Sequence, residues 1–388
     1  MNKAPIYKVY LADVSYFSGK LESYLRYKQI PYERIEMNAQ TGVDEVYENT
    51  GMLKVPAVKT PNGEWLKDTT PMIDWFEAQH PETSIIPKDP ALAFISKLVE
   101  DYADEWCWRT AMYFRWRDAG NARYLGRRIG QEVLSGWPVP TWLAGGYFRI
   151  RQTRTFLYND GLSSETEATI RQQYYDLMES FKLLLADQKF LLGDKASLVD
   201  IAMMGPFYRH YFCDPEPAKI MRDEYPEVLE WVVRVWNAKH DGESIDNSLA
   251  NFNHVGWHKI LEEIVKVYLP YLKLNAESWQ KGLKHFDYEV NGVTFKRLPV
   301  IRYRVLCLET LEQLYNQLSD STQVQVGQIL SAFGSFDLTT GIKSGLSEEF
   351  KLPLAKRQHK VSLFEKLIIM TRGTPWDMRK PFQSLRNQ

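Results

Sequence analysis

The stretch YKVYLADVSYFSGKLESYLRYKQIPYE, Tyr7 to Glu33, constrains this chain more than any other. Tyr7 to Ala12 alternates its side chains in a β-rich run. Lys20 to Lys28 then sets Leu21, Tyr24 and Leu25 at the three-to-four spacing of an amphipathic helix. This predicts strand, short turn, helix. Between them, Ser15-Tyr16-Phe17-Ser18-Gly19 puts hydroxyls at the helix start, where unpaired backbone N–H groups and the positive end of the dipole face outward. Such a place holds an anion. A thiolate is one, and a helix N-terminus is a device that lowers a thiol's pKa. For an isolated serine, capping the helix is the commoner use.

A second strand is predicted at Tyr32 to Met37, because Pro31 precedes an extended alternating run. A short polar helical region follows. Lys54 to Lys59 then reads as a strand with Pro56 near its start, since a proline cannot donate to a ladder and belongs at a strand start or edge. Pro61-Asn62-Gly63 is a hairpin turn leading to Glu64 to Lys67. Asp68-Thr69-Thr70-Pro71 caps a helix whose buried stripe is Met72, Trp75 and Phe76. The order βαβ, hairpin, helix is that of a thioredoxin-like α/β domain.

Across SYFSGKLESYLRYKQIPYE, the Val55-Pro56 pair and DTTPMIDWF, this segment resembles the N-terminal domain of the glutathione transferase family, in a serine-type, bacterial-like form. The resemblance implies glutathione as co-substrate. It also implies a cis peptide before Pro56, pairing of the Val55 backbone with the cysteinyl part, and Asp68-Thr69 at the γ-glutamyl end. Asp68 stands where Glu or Gln is usual, but a carboxylate still binds an ammonium and a helix N-terminus still receives a carboxylate. Aligned without gaps, Ser15 takes the place of the hydroxyl that donates to the glutathione sulfur; a gapped alignment puts Tyr16 there instead. Such a donor favours the thiolate, each pKa unit being worth about 1.4 kcal/mol. Phe17, Ser18 and Lys54 complete the expected glutathione-binding set. Ser15 and Ser18 also occupy the two positions of a glutaredoxin-like CxxC pattern, which excludes disulfide exchange here.

Beyond the linker SIIPKDP the pattern becomes helical, and an all-α domain is expected. In LAFISKLVEDYADEWCWRTAMYFRWRDAG, the residues Trp106, Arg109, Thr110, Tyr113 and Arg117 share one helix face by spacing. The resemblance makes this helix a border of the electrophile site, with Trp106, Arg109 and Tyr113 as candidate wall residues. Arg109 suits an anionic substrate or a glutathione carboxylate. The alternative is plain core, the commoner fate of a Trp/Tyr stripe. The arginines from Arg115 to Arg154 read mostly as solvated helix faces, and GWPVPTWLAGGYF as a lid-like loop rather than a nucleic-acid reader. FLLGDKASLVDIA places Ser197 three residues before Asp200, a hydroxyl-acid cap ahead of an apolar helix. It closely resembles the family's capping-box segment, so Asp200 is expected to serve folding.

The organisation predicted is a thioredoxin-like glutathione-binding domain at 1–88, an all-helical transferase C-terminal domain at 91–248 and a mainly helical extension at 249–388. In the extension, Asn291-Gly292 marks a hairpin, and helices are predicted at Ile301 to Leu318 and Val324 to Phe333. His254, His258 and Glu262 stand four apart, but Gly256 weakens the helix and the three fall short of a specified metal site; no metal is expected. Cys107, Cys213 and Cys307 are too far apart for a disulfide framework and read as reduced. Net charge is -1, which gives no global pull toward nucleic acid or membrane, although Lys351 to Gln388 is locally basic. No apolar run approaches the ~20 residues of a membrane span, and a cytoplasmic location is expected.

The expected function is addition of the glutathione thiolate to a small apolar or aromatic electrophile, a detoxification chemistry, with a homodimer allowed by the resemblance. The alternative is a non-catalytic transferase-fold module for protein interaction, its partner surface formed by the extension and basic tail.

Overall fold

The structure, a computed structural model, describes residues 6–136, 138–243, 245, 249–355 and 360. The basic tail lies largely outside these residues.

β1 (Tyr7–Leu11) and β2 (Tyr32–Glu36) are parallel, Val9 opposite Arg34, and α1 (Tyr16–Tyr27) makes the crossover between them. β3 (Ala57–Lys59) runs antiparallel to β1, and β4 (Trp65–Lys67) antiparallel to β3. β3 starts three residues later than predicted, just past Pro56, whose missing N–H keeps it out of the ladder. Gly63, at φ 87°, supplies the left-handed position of the turn into β4. α2 (Thr69–Gln79) follows directly. The N-terminal part is thus the thioredoxin-like α/β unit that the sequence predicts. α1 differs from the amphipathic helix expected: it is buried almost all round, Lys20 and Glu22 included. It is wedged between the sheet, α2 and the helical domain, so its polar face finds ion partners instead of water.

The helical domain runs through α3 (Pro90–Glu105), α4 (Cys107–Trp116), α5 (Ala119–Val133), α6 (Thr141–Phe156), α7 (Glu167–Leu184), α8 (Leu198–Pro206), α9 (Pro215–Glu224) and α10 (Pro226–Asn237). Asp89 starts α3 by accepting the Leu92 N–H at 2.9 Å. The single long helix read from the sequence breaks at Trp106, which turns the face presented by the next segment. The lid-like loop is also corrected, because Thr141 onward is α6. Its Gly145 lies against α5, where an added Cβ would stand 2.9 Å from the Arg127 backbone nitrogen. That glycine permits close helix contact rather than irregular backbone. Before α8, the Asp200 carboxylate accepts from the backbone N–H of Ser197 at 3.0 Å, from Leu191 at 3.0 Å and from the Trp231 indole at 2.9 Å.

The chain continues through α11 (His258–Glu263), α12 (Leu269–Gln280), a hairpin of β5 (His285–Val290) and β6 (Val293–Pro299), then α13 (Arg302–Asn316) and α14 (Asp320–Ser331). Asn291 and Gly292 both take positive φ, as the predicted hairpin turn requires. α13 and α14 pack on α3. The chain then returns to the first sheet, where β7 (Leu354–Ala355) pairs antiparallel with β4 and gives the strand order β2-β1-β3-β4-β7. A contiguous apolar core runs from Val9 through the helical domain to Leu346. Among the described residues no helix is long and apolar enough to cross a membrane.

Candidate functional site

A cleft of about 430 Å³ lies between the thioredoxin-like sheet, the α3–α4 junction and the first turn of α13. That is within the range of small-ligand sites. Phe17, Lys54, Val55, Pro56, Asp68 and Thr69 all line it, so six positions read from three separate stretches meet in one place. The Val55–Pro56 peptide is cis.

The polar groups of this wall are tuned by burial. Asp68 sits at φ 72° just before α2, and its side chain makes no capping bond to that helix, so its carboxylate is not consumed there. Burial pushes its pKa up, while a hydrogen bond from the Tyr303 hydroxyl and the charge of Lys54 hold it back. Burial likewise pulls the Lys54 ammonium down, and the carboxylates of Asp68 and Glu105 oppose that. Thr69 is the first residue of α2, whose N-terminal N–H groups are suited to a carboxylate.

Three of the expected residues are placed elsewhere. Tyr16 is buried and its hydroxyl donates to the Ala103 carbonyl at 2.5 Å, so it cannot meet a ligand in the cleft. Its bulk is packed against Gly205, where an added Cβ would approach its ring to 2.6 Å. Ser18 is fully buried and its Oγ accepts from the Ala12 N–H at 3.2 Å, which fixes the strand-to-helix turn. Ser15 is half-buried and caps α1, its Oγ accepting from the Ser18 N–H at 3.2 Å; it is not among the residues lining the cleft.

The three residues expected to form an electrophile wall are also placed elsewhere: Trp106, Arg109 and Tyr113 are buried and do not line the cleft. The Trp106 indole donates to Glu263 at 2.8 Å, Arg109 donates to the Asp160 carbonyl at 3.1 Å, and the Tyr113 hydroxyl bonds to Glu167 at 3.0 Å. Their stripe joins helices, which is the plain-core alternative. The opposite side of the same junction faces the cleft, with Asp104, Glu105 and Trp108, joined by Phe156 from the end of α6. Trp108 stacks on Phe17 with ring centroids 6.0 Å apart, so an apolar shelf adjoins the polar pocket. The break at Trp106 explains the exchange of faces, and the tryptophan-rich run was the only sequence signal for Trp108.

Beneath the shelf, the buried Lys20 ammonium lies 2.6 Å from Asp104 and 2.8 Å from Glu100. Burial opposes its charge, but those carboxylates outweigh it and hold its pKa above the ordinary value. Asp104 Oδ1 is buried and has no hydrogen-bond partner among the described residues. His254 and His258 are not brought together on a ligand: His254 Nδ1 accepts from the Gly256 N–H at 3.0 Å, and His258 packs on Phe333.

Comparison with known proteins agrees with this architecture. Residues 9–84 match the family described as glutathione S-transferase, N-terminal domain, and residues 158–238 match glutathione S-transferase, C-terminal domain. No curated protein matches the chain. Among solved structures, a glutathione S-transferase from Rhodospirillum rubrum F11 is 16% identical with a TM-score of 0.39, covering 64% of this chain and 100% of its own. A beta-etherase from Sphingobium sp. strain SYK-6 is 19% identical with a TM-score of 0.42, covering 59% and 94%. Human glutathione transferase theta-2, in complex with glutathione and an unknown ligand, is 19% identical with a TM-score of 0.38, covering 59% and 80%. By these two matches, residues 9–84 and 158–238 of this chain carry the N- and C-terminal domains of the glutathione S-transferase family.

Proposed function

We propose that the chain is a glutathione transferase-like enzyme that adds the glutathione thiolate to an apolar or aromatic electrophile. The observation that carries this reading is the meeting of Lys54, Val55, Asp68 and Thr69 in one cleft beside the Phe17–Trp108 shelf. Glutathione offers an ammonium, two carboxylates, a peptide backbone and a thiol. Asp68 receives the ammonium, the α2 N-terminus at Thr69 and Lys54 suit the carboxylates, and the Val55 backbone pairs with the cysteinyl unit. The sulfur is then directed toward the start of α1. There the Ser15 Oγ uses a lone pair to cap the helix, which leaves its proton to donate to the thiolate. The thiol proton passes to solvent, and the sulfur electron pair forms the new S–C bond. The attacked carbon gives up a π pair or expels its leaving group with its bonding electrons, chloride in a chloronitroaromatic, while the shelf orients the electrophile.

Replacing Ser15 by Ala is expected to lower kcat/KM for conjugation of a chloronitroaromatic by roughly tenfold to a hundredfold, with glutathione affinity changed much less. An unchanged rate would remove Ser15 from the mechanism. One observation favours the second reading, a non-catalytic transferase-fold module: Ser15 does not line the cleft. Retention on immobilised glutathione with no turnover of several electrophiles would select that reading.

A further inference from the structure

The hairpin of α5 and α6 carries charge and apolar surface that the cleft leaves unused. Over residues 119–156 it has six arginines, Arg123, Arg127, Arg128, Arg149, Arg151 and Arg154, and a single carboxylate, Glu132, which already accepts the Asp13 N–H at 2.5 Å. The two helices meet at glycines: a Cβ on Gly126 would stand 2.6 Å from the Gly145 carbonyl oxygen and 3.3 Å from the Arg149 Cβ. This close approach sets Arg149 of α6 with Arg123 and Arg127 of α5 around a hollow of about 170 Å³, which Trp142 also lines. Among the described residues, no side-chain hydrogen bond or ion pair engages these three arginines. α6 is apolar on two faces. Ala144 and Phe148 are buried, while Trp142, Leu143 and Ile150 are exposed by 69%, 53% and 66%. Leu143 and Ile150, seven apart, share one face, with Trp142 and Arg149 on its α5 side and Arg151 on the other.

We propose that this hairpin docks the chain on an anionic lipid surface, Trp142, Leu143 and Ile150 entering the headgroup boundary while Arg123, Arg127 and Arg149 meet lipid phosphates. Docking of this kind is independent of what the cleft binds. Three guanidiniums around one hollow repel one another until anions lie among them, and phosphate matches the planar donor fork of arginine. The headgroup boundary accepts aliphatic tips, an indole and cations on one face at once. A second copy of the chain fits poorly, because a two-fold contact would set arginines against arginines. An acidic protein segment answers the charge but not the aliphatic face. With 16 residues and three arginines, α6 lies in the boundary rather than crossing it. The same helix reaches the cleft at Thr155 and Phe156, so docking also fixes how the cleft stands to the bilayer.

The test is co-sedimentation of the full chain with vesicles of phosphatidylcholine alone and of equal parts phosphatidylcholine and phosphatidylserine, at low and high salt. The chain is expected to bind the anionic vesicles at least about tenfold more tightly than the neutral ones, and salt is expected to release it. Changing Arg123, Arg127 and Arg149 together to Gln is expected to weaken binding about a hundredfold. The pair Trp142→Ser and Ile150→Ser is expected to weaken it about tenfold. Should either set lower Tm, the single changes Arg123→Gln and Ile150→Ser, both at exposed positions, are read instead, each expected to weaken binding about fivefold. The basic tail stays intact in every variant, so binding that survives the Gln changes belongs to the tail and overturns the proposal. Equal binding to neutral and anionic vesicles overturns it, as does binding to neither. Capture on polyglutamate without vesicle binding would overturn it in favour of an acidic protein partner. A dimer that the serine pair dissociates, again without vesicle binding, would overturn it in favour of a second copy.

Discussion

Single residues in this chain are governed by how much water they lose. Lys20 is the strongest case, with its side chain fully buried against Glu100 and Asp104. Replacing it by Met leaves Glu100 with Lys97 at 3.0 Å but strips the buried Asp104 carboxylate of the cation beside it, and breaking such a buried pair typically costs about 3–5 kcal/mol. Urea denaturation at pH 7 is expected to show a loss of that order, and a loss below about 1 kcal/mol would mean the network is not buried as described. Asp101 makes a pH-dependent case. Burial pushes its carboxyl up to about 7, with hydrogen bonds from Tyr268 and Cys307 acting against that push. Its folded pKa is raised above the unfolded value, so the native state holds a proton that the unfolded chain has released. The associated stability is present at acid pH and is lost as pH rises from about 4 to about 7. Asp101→Asn should therefore flatten the fall in Tm between pH 4 and pH 8. A fall as steep as that of the unaltered chain would contradict the assignment. Residue identity alone does not reveal such behaviour: Lys20 reads from the sequence as an ordinary exposed face, because nothing local says that α1 is enclosed on all sides.

Elements were legible where period and punctuation agree. The βαβ start, the Pro56 strand entry, the Asn291–Gly292 hairpin and the Ser197–Asp200 cap each combine a repeat with a residue of fixed backbone habit. The reading failed where a glycine or a short apolar run has two uses. Gly145 and Gly146 suggested a loop, yet both lie inside α6. They differ in what surrounds them, and that difference is testable. A Cβ on Gly145 would press on the Arg127 backbone, whereas one on Gly146 would meet nothing within 4 Å. Gly146→Ala is expected to stabilise by about 0.5–1 kcal/mol through helix propensity. Gly145→Ala should destabilise by about 1–3 kcal/mol despite the same propensity gain. Thermal unfolding of the pair checks this, and two changes of the same sign would refute the close α5–α6 approach. β7 was invisible for another reason, since two residues carry no period. Its partner is chosen by the fold, which leaves the edge of β4 beside the returning chain.

For the whole molecule, the distinguishing feature is that three segments share one core and one cleft. Glu105 at the end of α3 and Arg304 in α13 form a buried pair beside the cleft, and Trp106 and Glu263 tie α3 to α11. The domain order could be read from local motifs, and so could Val55, Pro56, Asp68 and Thr69, which line the cleft. Trp108, Phe156 and Tyr303 could not, because each is brought to the cleft by the angle of a helix rather than by its neighbours in sequence. Glutathione binding in this cleft is what the proposed function requires, and a crystal structure of the full chain soaked with glutathione would decide it. The tripeptide is expected along Val55, with its ammonium at Asp68 and its sulfur pointing to the start of α1. A cleft that stays empty at saturating glutathione, or a tripeptide bound elsewhere, would contradict it.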